Sequence, residues 1–224
     1  MSLAIELRHA TALFTGVVEG DLGRTSGAPS DAVLASRESL LELLGLRAIL
    51  VAEQVHGAEI ASVDAVDGYC VGVAVADALI TTQPDVAVAV HVADCLPIAV
   101  AGAGGVAMVH AGWRGLSAGV IEAAVLELRA GGVSGELEAA IGPGVGGCCY
   151  EAGPEVHAAL ATYRAGRARL IDLRAVAAAQ LRAAGVRSVS DIGICTLCAP
   201  EGLLFSHRRD GPATGRQGGF AWLR

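Results

Sequence analysis

The chain has 224 residues, 53% of them hydrophobic, 4% aromatic and 17% charged, with a formal net charge of −7. A chain of this length and apolar content can bury a core without disulfide or metal staples, and it falls outside the composition of disordered proteins. All 16 basic residues are Arg, which excludes Schiff-base and P-loop Lys chemistry, and the acidic balance argues against a nucleic-acid partner, which needs a basic face.

The stretch from Met1 to His9 has no basic region ahead of a long apolar run, so no secretory signal is expected. A Gly-, Ser- and Pro-rich stretch from Gly20 to Ser30 reads as a linker. It leads into a helix over Asp31–Leu44, with Ser30 as N-cap and Gly45 as its stop. Strands are expected at Ala48–Val55, Val86–Val92, Ile98–Ala101, Val106–His110, Leu137–Ile141, Ser190–Ile194 and Leu203–Ser206. Helices are expected at Leu116–Ala130, Pro154–Ala165 and Leu173–Ala184, the last capped by Asp172 and closed by Gly185. The most apolar stretch, Val86 to Ala101, is broken by His91, Asp94 and Pro97, too short and polar to span a bilayer. Strands and helices alternate throughout with no internal boundary, which predicts a single α/β or α+β domain over residues 1–224. With no signal, the six Cys read as thiols or ligands of a cytoplasmic protein with no membrane partner.

Residues that carry chemistry fall at strand ends. Three stand out: His56 in Gln54-Val55-His56-Gly57, Cys95 in Ala93-Asp94-Cys95-Leu96-Pro97, and His110 in His110-Ala111-Gly112-Trp113-Arg114-Gly115. Two imidazoles and a thiolate leave one position open on a tetrahedral Zn²⁺, the arrangement of catalytic zinc sites. Taken singly, each is also an ordinary core Cys or a satisfied strand-end His. His91, four residues before Cys95, reads as a core histidine in preference to an extra ligand. Gly142-Pro143-Gly144-Val145-Gly146-Gly147 matches G-x-G-x-x-G, but no helix opens there and no acidic partner follows, so a tight ligand-facing loop is expected instead of a dinucleotide site. Cys195-Thr196-Leu197-Cys198 lacks the second pair of a zinc ribbon and precedes Ala199-Pro200, not a helix. Adjacent Cys148 and Cys149 are poorly placed to share a metal, so these thiols read as structural. Arg208, Arg209 and Arg216 lie among Gly-rich turns and suit a phosphate or carboxylate, or equally a solvated loop. Arg114, beside His110 and just before the Leu116 helix, is the better placed anion ligand.

Together these strings resemble the YfiH-like family, long labelled multicopper polyphenol oxidase or laccase domain and described as purine nucleoside phosphorylases. The resemblance runs from about Gln54 to Leu223. Besides the three motifs above it rests on Asp77-Ala78-Leu79-Ile80-Thr81, Ile141-Gly142-Pro143, Cys149-Tyr150-Glu151, Cys195-Thr196, and Ser206 through Arg216 ending in Gly219-Phe220. It implies a layered sandwich of mixed β-sheets with flanking helices. It also implies a metal site at His56, Cys95 and His110, usually zinc. The implied reactions are phosphorolysis of adenosine, guanosine, inosine and methylthioadenosine, and hydrolytic deamination of adenosine. The implied partners are purine nucleosides and phosphate. Asp94 is the candidate for proton transfer, and Arg114, Arg208, Arg209 and Arg216 are the candidate phosphate clamps. Two departures stand out. Phe14 to Gly23 replaces the family's Gly-Gly-Val-Ser string, and Gly144 stands where Cys is common.

Three other readings compete. Two His and one Cys are also the blue-copper set, with Met108 on the strand face of His110 as an axial ligand for Cu²⁺. A multicopper oxidase, however, needs a trinuclear cluster held by more His than a chain with six can supply. A metal-free cysteine hydrolase would use Cys95 as a His-activated nucleophile. A non-catalytic metal-binding partner protein would tolerate the altered N-terminal loop.

Overall fold

A computed structural model describes residues 2–24, 27, 29–63, 67–163 and 169–224. Among the described residues the strands are β1 Leu3–Glu6, β2 Ala10–Phe14, β3 Ala48–Glu53, β4 Ile60–Ser62, β5 Gly68–Val75, β6 Ala78–Thr81, β7 Val86–Val92, β8 Leu96–Ala103, β9 Gly105–Ala111, β10 Ser134–Ile141, β11 Val186–Asp191 and β12 Gln217–Leu223. The α-helices are α1 Asp31–Leu44, α2 Trp113–Ala118, α3 Val120–Ala130, α4 Pro154–Ala159, α5 Leu173–Ala183 and α6 His207–Asp210. The first sheet has the order β1-β2-β12-β7-β3-β5 and the second β11-β10-β8-β9-β6-β4. Both are mixed, and the fold is the expected layered α/β sandwich.

Period-2 alternation sorts the side chains into layers. On β3 and β7, Leu50, Val88 and Val90 face Ala99, Ala101 and Met108 of the second sheet, forming the core between the sheets. Ile49, Val51, Ala87 and Ala89 point the other way, onto Leu40 of α1. On β8 and β9, Ile98, Val100, Ala107 and Val109 face α3 and α5 through Ile121, Val125, Leu128, Val176 and Leu181. Strands covered on both sides read as apolar runs, which is why β7 through β9 were legible.

Helix α1 has the expected bounds: Ser30 Oγ accepts from the Val33 N–H at 3.4 Å, and Gly45 closes the helix at φ 62°. Helix α5 is capped by Asp172, which accepts from Ala175 N at 3.1 Å. Three expectations are corrected. The helix expected over Leu116–Ala130 starts earlier and breaks in two at Gly119, whose φ of 85° ends α2 before α3 begins. The helix expected from Pro154 closes at Ala159 and a short 3₁₀ turn follows over Ala161–Tyr163; its remaining residues, 164 and 165, lie outside those described. The strand expected at Leu203–Ser206 is a turn, because Arg209 donates to the carbonyls of Thr196, Ala199 and Leu204 while Ser206 caps α6.

Topology gathers the active ends. Strands β3 and β7 are parallel neighbours, so their C-terminal ends lie side by side where the chain leaves the first sheet. Cys95 sits in the crossing from β7 to β8, and the β8–β9 register pairs Leu96 with Ala111 and Pro97 with His110. Antiparallel β12 starts opposite Val92, and β10 ends opposite Ile98. The loops after β3, β7, β9, β10 and β11, and the one before β12, therefore meet at one edge of the sandwich.

Candidate metal centre and its cleft

His56, Cys95 and His110 come together at that edge, with one ligand atom of each lying within 4.8 Å of the others. The rings of His56 and His110 meet edge to face with centroids 4.7 Å apart. His110 is 3% exposed, whereas His56 reaches solvent.

Asp77, fully buried just before β6, organises the group. Its carboxylate accepts from the backbone N–H groups of Val55 (3.3 Å), His56 (2.9 Å) and Gly57 (2.6 Å). It also accepts from His110 Nδ1 at 2.7 Å. That bond places the proton of neutral His110 on Nδ1 and frees Nε2 to face Cys95, the carboxylate–histidine support common beneath metal ligands. Burial alone would raise the Asp77 pKa, but His110 and the backbone donors outweigh it and the pKa is lowered. The same carboxylate holds His56 at φ 63°, a left-handed conformation uncommon for a residue other than glycine. Gly112 is required by close approach, since a Cβ there would lie 2.9 Å from Cys95 Sγ.

Burial pushes the Cys95 thiol up, yet the His110 charge and hydrogen bonds from both imidazoles bring it down to about 6. His110 is pushed down by burial and raised more strongly by Cys95 and Asp77, to about 9. Thiolate is thus the favoured form of Cys95, as a metal ligand requires. Two nitrogens, one thiolate and a buried carboxylate behind them fit a borderline-soft dication with an open position.

The centre opens into a cleft of about 490 Å³ lined by Arg24, Arg114, Arg208 and Arg216, by Trp113 and Tyr150, and by His207 and Asp94. Arg114 lies 4.5 Å over the Trp113 ring and Arg208 4.5 Å over the Tyr150 ring, so stacking holds two of the four guanidinium groups. Arg216 donates to the carbonyls of Thr214 (2.7 Å) and Gly215 (2.9 Å), and Arg24 to that of Pro212.

Arg209 is not among the lining residues. Its guanidinium turns inward to Asp210 at 2.7 and 2.8 Å and to the loop carbonyls named above. Asp94 faces the cleft, but Oδ1 accepts from Thr196 (2.6 Å) and Ser206 (2.7 Å), and Oδ2 from the Arg208 N–H (2.8 Å). These bonds stitch the β7–β8 crossing to the C-terminal loop. His91 points to the α1 side, because Asp94 at φ 93° breaks the strand parity between it and Cys95. Its Nδ1 donates to Gly23 O at 3.0 Å, so Nε2 accepts from Tyr69 OH at 2.8 Å. Both nitrogens are used, as befits a core histidine. Met108 is buried between the sheets and does not line the cleft, so no axial thioether reaches the centre. The helix after His110 begins earlier than expected, and it is Gly112, Trp113 and Arg114 at the start of α2, not residues 116–120, that line the cleft. A Cβ at Gly144 would lie 2.6 Å from Leu96 Cδ2, so a Cys at that position would not fit without a shift.

Sequence reasoning missed the roles of Asp77 and Arg24. Asp77 stood in a quoted motif, and a buried acid directly before an apolar strand was its signal. Arg24 lay hidden in the stretch read as a linker.

The layered α/β sandwich thus brings two His and one Cys, a set that could hold a metal ion, to an Arg-rich cleft. The family described as multi-copper polyphenol oxidoreductase laccase matches residues 10–224, and the chain belongs to this YfiH-like family. A "Purine nucleoside phosphorylase" of Xylella fastidiosa (strain 9a5c) is 38% identical, covering 91% of this chain and 84% of that protein. One from Mycobacterium tuberculosis (strain H37Rv) is 35% identical over 99% of this chain and 94% of its own length. Among solved structures, Bacillus licheniformis YfiH superposes with a TM-score of 0.85 at 27% identity, covering 96% of this chain and 93% of that one. YlmD from Geobacillus stearothermophilus gives 0.79 at 29% identity, covering 100% and 92%. No helix among the described residues is long and apolar enough to cross a membrane.

Proposed function

We propose that this chain is a zinc-dependent purine nucleoside phosphorylase that cleaves adenosine, guanosine, inosine or methylthioadenosine with phosphate. In the same reading, it also deaminates adenosine hydrolytically. The observation that carries the reading is the convergence, in one cleft of about 490 Å³, of the His56–Cys95–His110 group with four arginines and two aromatic rings. The names of the relatives agree with it.

Phosphorolysis needs a dianion held against the ribose while the C1′–N9 bond breaks, a C1′–O bond forms and the purine leaves with the electron pair and takes up a proton. Arg24, Arg114, Arg208 and Arg216 supply fixed positive charge for the phosphate in a chain without Lys. Trp113 and Tyr150 offer flat apolar faces for a purine. Asp77 keeps His56 and His110 in place, and Asp94, carrying three donors, positions the Arg208 backbone; these bonds support a positioning role for Asp94 over proton transfer. A Zn²⁺ held by His56, Cys95 and His110 would supply a Lewis acid with an open position, the chemistry that deamination requires.

Inosine incubated with the zinc-loaded protein should release hypoxanthine only when phosphate is present, and Cys95→Ala should abolish the release. Intact inosine and adenosine after prolonged incubation would refute the proposal. Copper-dependent phenol oxidation, or alkylation trapped on Cys95 without metal, would turn the assignment to the oxidase or the cysteine-hydrolase reading.

A further inference from the structure

The CxxC that lacked a partner pair in the sequence finds one in space. Cys148, Cys149, Cys195 and Cys198 bring their four sulfurs within 4.8 Å of one another. Cys148 Sγ lies 3.4 Å from Cys198 Sγ and 3.5 Å from Cys149 Sγ, and Cys149 Sγ lies 2.7 Å from Cys198 Sγ. A tetrahedral ZnS₄ unit with bonds of about 2.3 Å has S···S edges of about 3.8 Å. These three separations all fall short of that edge, two of them by a few tenths of an ångström, and the 2.7 Å pair would open by roughly 1 Å around an ion.

The surrounding backbone is arranged as it is around metal thiolates. Gly146 N donates to Cys195 Sγ at 3.2 Å, and the Cys198 N–H points at the same sulfur. Cys149 N and Tyr150 N both donate to Gly146 O at 3.0 Å. This tight turn puts neighbouring Cys148 and Cys149 on one side, the arrangement the linear sequence argued against. Ala199 N donates to Cys195 O at 2.9 Å, closing the matching turn of the CxxC. Gly146 leaves room for the cluster, since a Cβ there would lie 3.2 Å from both Cys148 Sγ and Cys195 Cβ.

We propose that Cys148, Cys149, Cys195 and Cys198 form a second metal site, a closed tetrathiolate that takes Zn²⁺ and clips the loop after β10 to the loop after β11. Four soft thiolates with no open position select a structural ion. Arg174 of α5 already ties the bases of these loops, donating to Gly142 O and Gly144 O at 3.1 Å and to Asp191 at 2.5 Å. The ion ties their tips. Val145 and Tyr150 of one loop, and His207 and Arg208 just beyond the other, line the cleft, so the clip steadies a wall of the first centre from outside it. The site does not depend on what the cleft binds.

The test uses the full chain with Cys95→Ala, which silences the first centre, titrated anaerobically with Co²⁺ after metal removal. One equivalent should bind with the intense thiolate-to-cobalt absorption of a sulfur-rich tetrahedral site, and adding Cys198→Ser should weaken binding at least tenfold. In parallel, the unmutated zinc-loaded protein is alkylated with iodoacetamide and mapped by peptide mass, which needs no variant to fold. All four cysteines should be protected by Zn²⁺ and released together by a chelator. Equal alkylation with and without chelator, absence of the cobalt band, or a Cys149–Cys198 disulfide in freshly isolated protein would each overturn the proposal.

Discussion

The two cysteine-bearing centres of this molecule are built in opposite ways. His56, Cys95 and His110 stand at strand ends of both sheets, with His110 pinned to the fully buried Asp77. The four-cysteine cluster hangs on two loops, and Cys148 and Cys198 are exposed. The first centre is held in shape by the protein, because Asp77 takes four donors and the strand register aligns Pro97 with His110. The second is tied by its turns, by the Arg174 fork and through Thr196, buried between Cys195 and Cys198 and bonded to Asp94, but its sulfurs meet only one another and backbone N–H groups, so an ion would complete it. Strand ends preorganise a reactive site, whereas loops gain order from the metal.

The sharpest way to break this comparison is to remove the anchor. Asp77→Ala would leave the N–H groups of His56 and Gly57 and the His110 ring unpaired inside the protein. The expected cost is about 3–5 kcal/mol, because buried partners of a lost carboxylate bear the full desolvation penalty. Metal affinity of the first centre should fall about 10–100-fold. Chemical denaturation and zinc titration measure both, and Asp77→Asn should recover part of the stability. If metal affinity is unchanged in a folded Asp77 variant, the first centre is not preorganised by its anchor.

Sequence reading went furthest where local and tertiary forces agree. Ser30, Gly45 and Asp172 carry their caps in the chain itself, and β7 was legible because it is covered on both faces. Strand β12 was not, because Gly218 and Gly219 open it with no side chains to mark an alternation. Their glycines serve sheet packing, since a Cβ at Gly219 would lie 2.5 Å from Pro97 Cβ in the other sheet. Strand β2 was hidden in a short run of small residues with no alternation, Ala10–Phe14. The His56, Cys95 and His110 trio was readable from its strand-end motifs. The inward turn of Arg209 and the meeting of four cysteines were not. The first depends on how one loop folds back so that Arg209 meets the carbonyls of Thr196, Ala199 and Leu204, and the second on two loops meeting across 50 residues, as Cys148 and Cys198 do.

A smaller effect concerns His91, a buried residue of the first sheet that also lines the cleft. Burial, together with the Arg37 charge, holds His91 down at about 3. The folded pKa lies below the ordinary value near 6.5, so the native state binds fewer protons than the unfolded chain below that pH. The stability this contributes is present at neutral pH and is lost as pH falls from about 6.5 toward about 3. Between pH 7 and pH 5 the loss from this residue is roughly 2 kcal/mol. His91→Gln keeps a hydrogen-bonding side chain beside Tyr69 but does not titrate. Its unfolding free energy, measured by urea at the two pH values, should fall less than that of the parent by about that amount. Parallel slopes would mean that His91 is protonated in the native state and that the Tyr69 and Gly23 pairing does not persist in solution.

The smallest effect serves as the control that both centres need. Ser30 caps α1 on the outer face of the first sheet, its Oγ accepting from Val33 N at a long 3.4 Å. It lies on the layer away from the inter-sheet core, and neither it nor any residue of α1 lines the cleft. Ser30→Ala should cost about 0.5–1 kcal/mol, the low end for a lost cap because the bond is long. Zinc content, the cobalt spectrum of the cysteine cluster and phosphate-dependent hypoxanthine release should all remain at the parent's values. A loss of zinc from either centre at so small a cost would mean that general destabilisation is enough to empty it. The losses expected for Asp77→Ala and Cys198→Ser would then report stability, and the contrast between an anchored centre and a clipped one would fail.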